Sequence, residues 1–150
     1  YVPWKKEHDL AVMKNMEVLE ATNSWTYTTA TWRQAGASTA NQLDFVIGVS
    51  EDVVIADLLG MSSNSTTQIA SYVGISLDAT NVRGQGIGGG FPAPGADAIR
   101  NHVAHYRDQI AAGRHYLAWT EYSVATGTCT WYGDNGGTLF QTGIQGEILC

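Results

Sequence analysis

The stretch Ile69-Ala70-Ser71-Tyr72-Val73-Gly74-Ile75-Ser76-Leu77 alternates between two sets of side chains. Val73, Ile75 and Leu77 share one set, and Gly74 and Ser76 fall in the other. A period of two is typical of a β-strand with one buried face, because successive side chains point to opposite sides of a sheet. We therefore predict a half-buried strand here.

Two apolar runs precede this strand, at residues 43–49 and 53–59. Ser50-Glu51-Asp52 separates them and is rich in residues that favour turns. The runs are short and contain β-branched and aromatic side chains, as buried strands do. We predict that they form a hairpin.

The same texture continues downstream in residues 115–124 and 126–132. Asp134-Asn135-Gly136-Gly137 then leads into residues 138–142, and an Asn-Gly pair between such runs is a strong hairpin signal. Short strands separated by glycine-rich and polar turns are typical of sandwiches and jelly rolls. The predicted fold class is all-β, an antiparallel β-sandwich of jelly-roll type over residues 23–150.

Residues 1–22 have a different composition. Good helix formers fill the segment from Trp4 to Ala21, with Asp9 as a potential cap, so a short N-terminal helix or an ordered arm is expected. Ile99, Val103, Tyr106 and Ile110 also lie at helical spacing, although part of that segment could equally enter a strand.

Charge excludes several classes of partner. The net charge is −6, all three lysines lie within the first fourteen residues, and only five arginines follow them. Such a chain has no cationic surface for phosphates, so nucleic acid is not an expected partner. No apolar run reaches the ~20 residues that a membrane helix needs. Cys129 and Cys150 are expected to be reduced.

The segment Gly84-Gln85-Gly86-Ile87-Gly88-Gly89 has the spelling of a dinucleotide-binding loop. That mechanism needs a helix directly after the loop, whereas Phe91-Pro92-Ala93-Pro94-Gly95 follows here. We expect a long surface loop and no cofactor. Loops of this length often contact partners, so the candidate contact residues are Gly84, Gln85, Gly86, Ile87 and Phe91, together with Asp134 and Asn135 of the downstream turn.

No catalytic or metal-binding group stands out. His102-x-x-His105 with His115 lacks the spacing of a known zinc motif, and Cys129 lies in a strand-like context without a neighbouring base. The residues therefore predict no metal and single out no catalytic site. A sandwich hydrolase with an unrecognised site is a weaker alternative.

Aromatic residues are dense along the predicted strands. Most are expected to fill the core, while an exposed minority beside polar turns would form a platform for stacking sugars. The residues concerned are Trp25, Tyr27, Trp32, Tyr116, Trp119, Tyr122, Trp131 and Tyr132.

The final third of the chain resembles the end of bacteriophage virion proteins. The similarity rests on three segments that match their closing strands. They are Gly113-Arg114-His115-Tyr116-Leu117-Ala118-Trp119-Thr120-Glu121-Tyr122, Gly127-Thr128-Cys129-Thr130-Trp131-Tyr132-Gly133, and Gln141-Thr142-Gly143-Ile144-Gln145-Gly146. Those domains have a jelly roll similar to the trimeric heads of tumour necrosis factor and complement proteins.

This resemblance implies a non-enzymatic homotrimer on the virion surface, as a tail-fibre tip, head fibre or capsid decoration. The implied partners are other virion proteins and a host-surface glycan or protein. It also implies that residues 99–110 are extended, which overrules the slight helical preference. The alternative function is a carbohydrate-binding β-sandwich module outside a virion. At a trimer contact charged residues are depleted, which would account for a charged content of 15%.

Overall fold

The computed structural model describes residues 13–50, 52–84, 87–88, 90, 92, 94–137 and 140–149. These residues form eleven β-strands and one short 3₁₀ turn, η1 (Ala35–Ala37). The strands are β1 (Met13–Leu19), β2 (Ser24–Thr26), β3 (Trp32–Gln34), β4 (Gln42–Ile47), β5 (Val53–Asn64), β6 (Ser71–Leu77), β7 (Ile87–Gly88), β8 (Arg100–Gln109), β9 (Gly113–Ser123), β10 (Cys129–Tyr132) and β11 (Gly143–Leu149). The predicted all-β class is confirmed.

The strands lie in two antiparallel sheets. In the first sheet β5 is central, with β8 along one side and β11 followed by β10 along the other. β1 and β2 pair with the outer sides of β11 and β10, and β7 pairs with β8. In the second sheet β9 is central, with β3 and β4 along one side and β6 along the other.

The core lies between the two sheets, as expected of a sandwich. Alternate residues of β4 and β5 supply it from opposite sides, and the tryptophans of β9 and β10 fill its centre. The fully or almost fully buried members include Leu43, Phe45, Ile47, Val54, Ala56, Leu58, Val73, Ile75, Leu117, Trp119, Trp131 and Ile144.

The hairpin predicted for residues 43–59 is wrong. β4 pairs with β9 in the second sheet, whereas β5 lies at the centre of the first, so the chain passes from one sheet to the other between Ile47 and Val53. The alternation in each run is real, because Phe45 and Val54 are both buried. Alternation shows that a strand has one side facing the core. It does not show whether two successive strands pair with each other in a hairpin or lie in opposite sheets.

The hairpin predicted at Asp134–Gly137 is also wrong. β10 and β11 lie one after the other along the same side of β5, where Tyr132 is paired with Met61 and Gly143 with Leu59. The connection between β10 and β11 is closed by a hydrogen bond of 3.1 Å from the Thr142 N–H to the Gly133 carbonyl. The Asn-Gly pair therefore lies in a loop between two strands that pair with successive parts of β5, and it does not join two strands of a hairpin.

The helix expected in the N-terminal segment is wrong over the part that the structure describes. Residues 13–19 form β1, which pairs with β11 along its whole length. The extended alternative for residues 99–110 is confirmed, because residues 100–109 form β8. Both segments alternate between the core and the outer face, with Val18 packed on the core and Leu19 exposed in β1.

The strand predicted at residues 69–77 is confirmed as β6, although it is more buried than expected. Its outer face is covered near Gly74, where an added Cβ atom would lie 2.1 Å from the Arg83 carbonyl oxygen. Glycine is therefore required at residue 74 by the close approach of a second backbone. No helix in the described part of the chain is long and apolar enough to cross a membrane.

Candidate binding site

Three aromatic side chains form a row across the outer face of the second sheet. Trp32 of β3 and Tyr72 of β6 flank Tyr122 of β9, and the register pairs each of them directly with Tyr122. The ring centroids are 5.4 Å apart for Trp32 and Tyr122 and 6.0 Å apart for Tyr72 and Tyr122. Both distances are typical of aromatic pairs that stabilise a sheet surface.

The row lines a groove of about 490 Å³. Its other lining residues include Arg83, Gly90 and Val124. Tyr72 is 36% exposed, and the rings of Trp32 and Tyr122 are partly exposed. Aromatic side chains with a few polar groups are the usual lining of a ligand site.

A partly buried ion pair lies beneath this row, with Glu121 fully buried and the Arg33 side chain 28% exposed. Arg33 and Glu121 are the chain neighbours of Trp32 and Tyr122, and they are paired across β3 and β9. The Arg33 Nη2 atom lies 2.7 Å from a Glu121 carboxylate oxygen. The Arg33 Nε–H donates a hydrogen bond of 2.8 Å to the same carboxylate. This double contact fixes the register of β3, which is only three residues long.

Further groups complete the surroundings of the Glu121 carboxylate, whose residue is fully buried. The Trp25 indole N–H donates to it over 2.9 Å, and the Gly36 backbone N–H donates over 3.3 Å. Burial raises the pKa of Glu121 to about 7, and the Arg33 charge and these hydrogen bonds oppose that rise. The Arg33 guanidinium also stacks 3.7 Å above the Tyr27 ring.

Trp32 and Tyr122 were named from the sequence only as two of eight strand aromatics, and neither Tyr72 nor Arg83 was named as a candidate binding residue. The alternation of β6 contained the missing signal, since Tyr72 falls in the set opposite the core residues Val73 and Ile75. Pairing of β6 with β9 could not be read from that alternation. The prediction that most of the eight aromatics fill the core is wrong. Three of them are buried, Tyr27, Trp119 and Trp131, and the other five are only partly buried: Trp25, Trp32, Tyr116, Tyr122 and Tyr132.

The predicted contact loop lies against the domain at several points. An added Cβ atom at Gly84, whose φ is +82°, would lie 2.0 Å from the Ile75 carbonyl oxygen. The backbone of residues 87–88 pairs with β8, and Gly90 approaches the Ser71 carbonyl. Gln85, Gly86 and Phe91 lie outside the described residues. Contact by this loop stays a prediction.

The second predicted contact element, the turn at Asp134 and Asn135, is well defined. Asn135 has a φ of 47°, and the Gly136 N–H donates to the Asp134 side chain over 2.9 Å. This turn lies in the connection between β10 and β11 of the first sheet, whereas the aromatic row lies on the second sheet.

The histidines do not converge on a metal site. His102 and His105 are three residues apart on strand β8, so one is buried and the other is exposed. His115 lies near Asp78, with 2.7 Å between Nδ1 and a carboxylate oxygen, and this hydrogen bond raises its pKa. Across the described ranges no three metal-binding side chains are grouped.

His102 belongs to a buried polar cluster. Its Nε2 atom lies 2.7 Å from the Ser62 hydroxyl and 3.1 Å from that of Ser71. Burial, with a smaller contribution from the Arg100 charge, lowers the pKa of His102 to about 4. A serine beside a histidine base is found in hydrolases, but Ser62 is 1% and His102 2% exposed, so the contact links β5, β6 and β8 in the interior.

Cys129 is a free, buried thiol next to this cluster, and burial raises its pKa. A protonated thiol in the core is a weak nucleophile. Cys150 lies outside the described residues.

A second groove, of about 460 Å³, runs along the outer face of the first sheet. Most of its lining residues come from two neighbouring cross-strand rows. One row is polar and contains Glu17, Gln145, Asp57 and His105; the other is mostly apolar and contains Leu19, Gly143, Leu59 and Val103. The His105 ring and the Asp57 carboxylate are in hydrogen-bond contact at its polar side.

Comparisons with known proteins were made by family model, by curated sequence and by structure. No protein-family model and no curated protein matches the chain. The chain is similar to a crystal structure of the cycloisomaltooligosaccharide glucanotransferase of Paenibacillus sp. complexed with cycloisomaltoheptaose, with a TM-score of 0.32 and 14% identity. The alignment covers 81% of this chain and 18% of that one, so the chain spans less than a fifth of that enzyme.

Proposed function

We propose that the chain is a homotrimeric, non-enzymatic surface module of a bacteriophage virion, for host attachment or capsid decoration. The three segments that resemble phage virion proteins form β9, β10 and β11, which are the strands next to or at the centre of each sheet. The resemblance therefore involves the framework of the sandwich, and its partners would be further copies and other virion proteins.

The observation that carries the proposal is the apolar row on the outer face of the first sheet. Leu19 is 53% and Val103 51% exposed, and Leu59 lies between them across the sheet. Gly143 has no side chain to fill the space between Leu19 and Leu59, and this leaves a groove. Apolar side chains in a groove with a polar margin are typical of subunit contacts.

The occupant that fits this groove is a second copy of the chain. The polar row beside it, from Glu17 to His105, would supply the hydrogen bonds of an interface margin. The aromatic row lies on the outer face of the other sheet, so assembly through the first sheet leaves it free. Such a trimer would display three copies of the aromatic groove.

Paired substitutions test the contact face. Val103→Glu places a charge in the apolar row, whereas Val46→Glu makes the same change at a 69% exposed position on the second sheet. We expect light scattering to show at least a tenfold weaker association for Val103→Glu and an unchanged trimer for Val46→Glu. Equal behaviour of the two variants would contradict the proposed contact face.

Location on the particle is tested separately. An antibody raised against the purified chain should label the surface of phage particles from the host that carries its gene. Particles free of the chain by labelling and by mass spectrometry would contradict a virion role. A monomeric chain with the same aromatic groove would favour the alternative, a carbohydrate-binding module outside a virion.

A further inference from the structure

Several polar groups around the aromatic row are free to meet a ligand. The Arg83 guanidinium, the Trp32 indole N–H and the hydroxyls of Tyr72 and Tyr122 have no hydrogen-bond or ion-pair partner among the residues that the structure describes. By contrast, the Trp25 indole N–H is bound to Glu121. The groove thus combines exposed aromatic surface with unpaired donors.

Such a combination suits a pyranose sugar. The ring carbons of a pyranose present an apolar face that can stack on an aromatic ring, and its hydroxyls need donors and acceptors at the margin. Tyr72 and Tyr122 offer both kinds of group in one side chain. The row extends over two strand spacings, about 10 Å, so it can contact more than one sugar ring.

Charge narrows the class of sugar. Arg83 is exposed and lines the groove, while the chain as a whole has a net charge of −6. An unpaired guanidinium in an acidic protein favours an anionic ligand, and its planar donors match a carboxylate with two hydrogen bonds. A neutral sugar can accept hydrogen bonds from this group, but only a carboxylate adds an opposite charge and the matching two-oxygen geometry.

Contacts beneath the sheet surface also fix the positions of the strands that carry the groove residues. The Arg33–Glu121 pair fixes β3 against β9 and therefore fixes Trp32 beside Tyr122. The backbone of Arg83 packs on Gly74 of β6, next to the strand position of Tyr72. Binding to a groove that is already formed costs little ordering of side chains.

We propose that the groove formed by Trp32, Tyr72, Arg83 and Tyr122 binds a carboxylate-bearing pyranose of a host-surface glycan. This inference deepens the proposed function, because it gives the chemical class of the attachment ligand. Each subunit carries a complete site, so a single copy is sufficient for binding.

The first experiment is titration of the full chain with soluble sugars, in which tryptophan fluorescence and calorimetry measure binding. The probes are sialyllactose and an oligogalacturonate, each with its neutral counterpart, lactose and a neutral galactose oligomer. We expect at least tenfold tighter binding of one acidic probe than of its neutral counterpart. Absence of binding to both acidic probes at millimolar concentration, or equal binding of acidic and neutral sugars, would overturn the inference.

Matched variants then locate the site. Arg83→Gln should remove the preference for the acidic sugar, and Tyr72→Ser should weaken both acidic and neutral binding at least tenfold. Arg114→Gln, at an 81% exposed arginine elsewhere on the second sheet, should change neither. A preference that survives Arg83→Gln in a folded variant would overturn the role of Arg83, and circular dichroism of each variant establishes its folding.

The inference and the proposed function fail in different ways. A trimer that binds no acidic sugar contradicts only the inference, whereas a monomer that binds one contradicts only the trimeric module. Light scattering on the titrated sample separates these outcomes.

Discussion

At the scale of single residues, the interior of the sandwich contains two titratable groups whose pKa values shift in opposite directions. His102 has its pKa lowered to about 4, and Glu121 has its pKa raised to about 7. Burial is the main cause in both cases, because it disfavours the charged form of each group. The two groups therefore make opposite contributions to the pH dependence of stability.

His102 gives the first prediction. The unfolded chain protonates this histidine below about pH 6.5, whereas the folded chain resists protonation down to about pH 4, so acidification favours unfolding in that window. We expect a loss of about 3 kcal/mol between pH 7 and pH 4 from this residue. Denaturant unfolding of wild type and His102→Gln across this range measures it.

The difference between the two curves isolates His102, because the contribution of Glu121 is common to both proteins. The difference in unfolding free energy between wild type and His102→Gln should change by about 3 kcal/mol between pH 7 and pH 4. Parallel curves from pH 7 to pH 4 would show that His102 does not resist protonation in the folded chain.

Gly74 gives the second prediction. Gly74→Ala places a Cβ atom 2.1 Å from the Arg83 carbonyl oxygen, so either the strand or the segment of Arg83 must move. We expect a destabilisation of at least about 2 kcal/mol. Gly48→Ala is the control, since an added Cβ atom there meets nothing within 4 Å. Thermal unfolding compares them, and equal stabilities would contradict the close packing of Arg83 on β6.

At the scale of strands, the sequence predicted which segments are extended better than it predicted their partners. The alternation at residues 69–77 led to a correct strand, β6, because burial of one face is a local pattern. The hairpin at residues 43–59 failed because strand pairing is set by the packing of two sheets, which local pattern does not contain. The hairpin predicted from the Asn-Gly pair failed for a related reason, because a residue with a positive φ, such as Asn135, occurs in longer loops as well as in hairpin turns.

For the aromatic site, too, the sequence indicated the strand residues better than their neighbours in the fold. Trp32 and Tyr122 were recognisable as strand aromatics, whereas their assembly with Tyr72 depends on β3 and β6 flanking β9. Arg83 comes from the segment after β6, and its place beside the rings follows from the close approach to Gly74. Sites built across strands need the register as well as the residue types.

The third prediction concerns how β3 is held. Arg33→Met keeps much of the side-chain volume but leaves the Glu121 carboxylate buried without its cation, which costs about 3 kcal/mol. Loss of Arg33 raises the pKa of Glu121 further, so the deficit should be largest near pH 8 and smaller near pH 5, where the carboxyl group is protonated. Chemical denaturation at the two pH values measures both effects.

Arg114→Met is the matched control. Arg114 is 81% exposed and lies 3.6 Å from Asp44, so its removal should change stability little at either pH. A deficit of Arg33→Met that is equal at pH 8 and pH 5 would contradict the role assigned to the Glu121 carboxylate.

At the scale of the whole molecule, the low charged content and the two outer faces suggest one organisation. The first sheet presents an apolar row between Leu19 and Val103, and the second presents the aromatic groove. A module that assembles through one face and binds through the other would multiply weak sugar binding by three copies. Homotrimer formation is the step on which this organisation depends.

The molar mass of the wild-type chain in solution tests that step most directly. Sedimentation equilibrium at low micromolar concentration should give three times the chain mass of 16.1 kDa, without dissociation over a tenfold dilution. A single species of 16.1 kDa at every concentration would contradict the trimeric surface module.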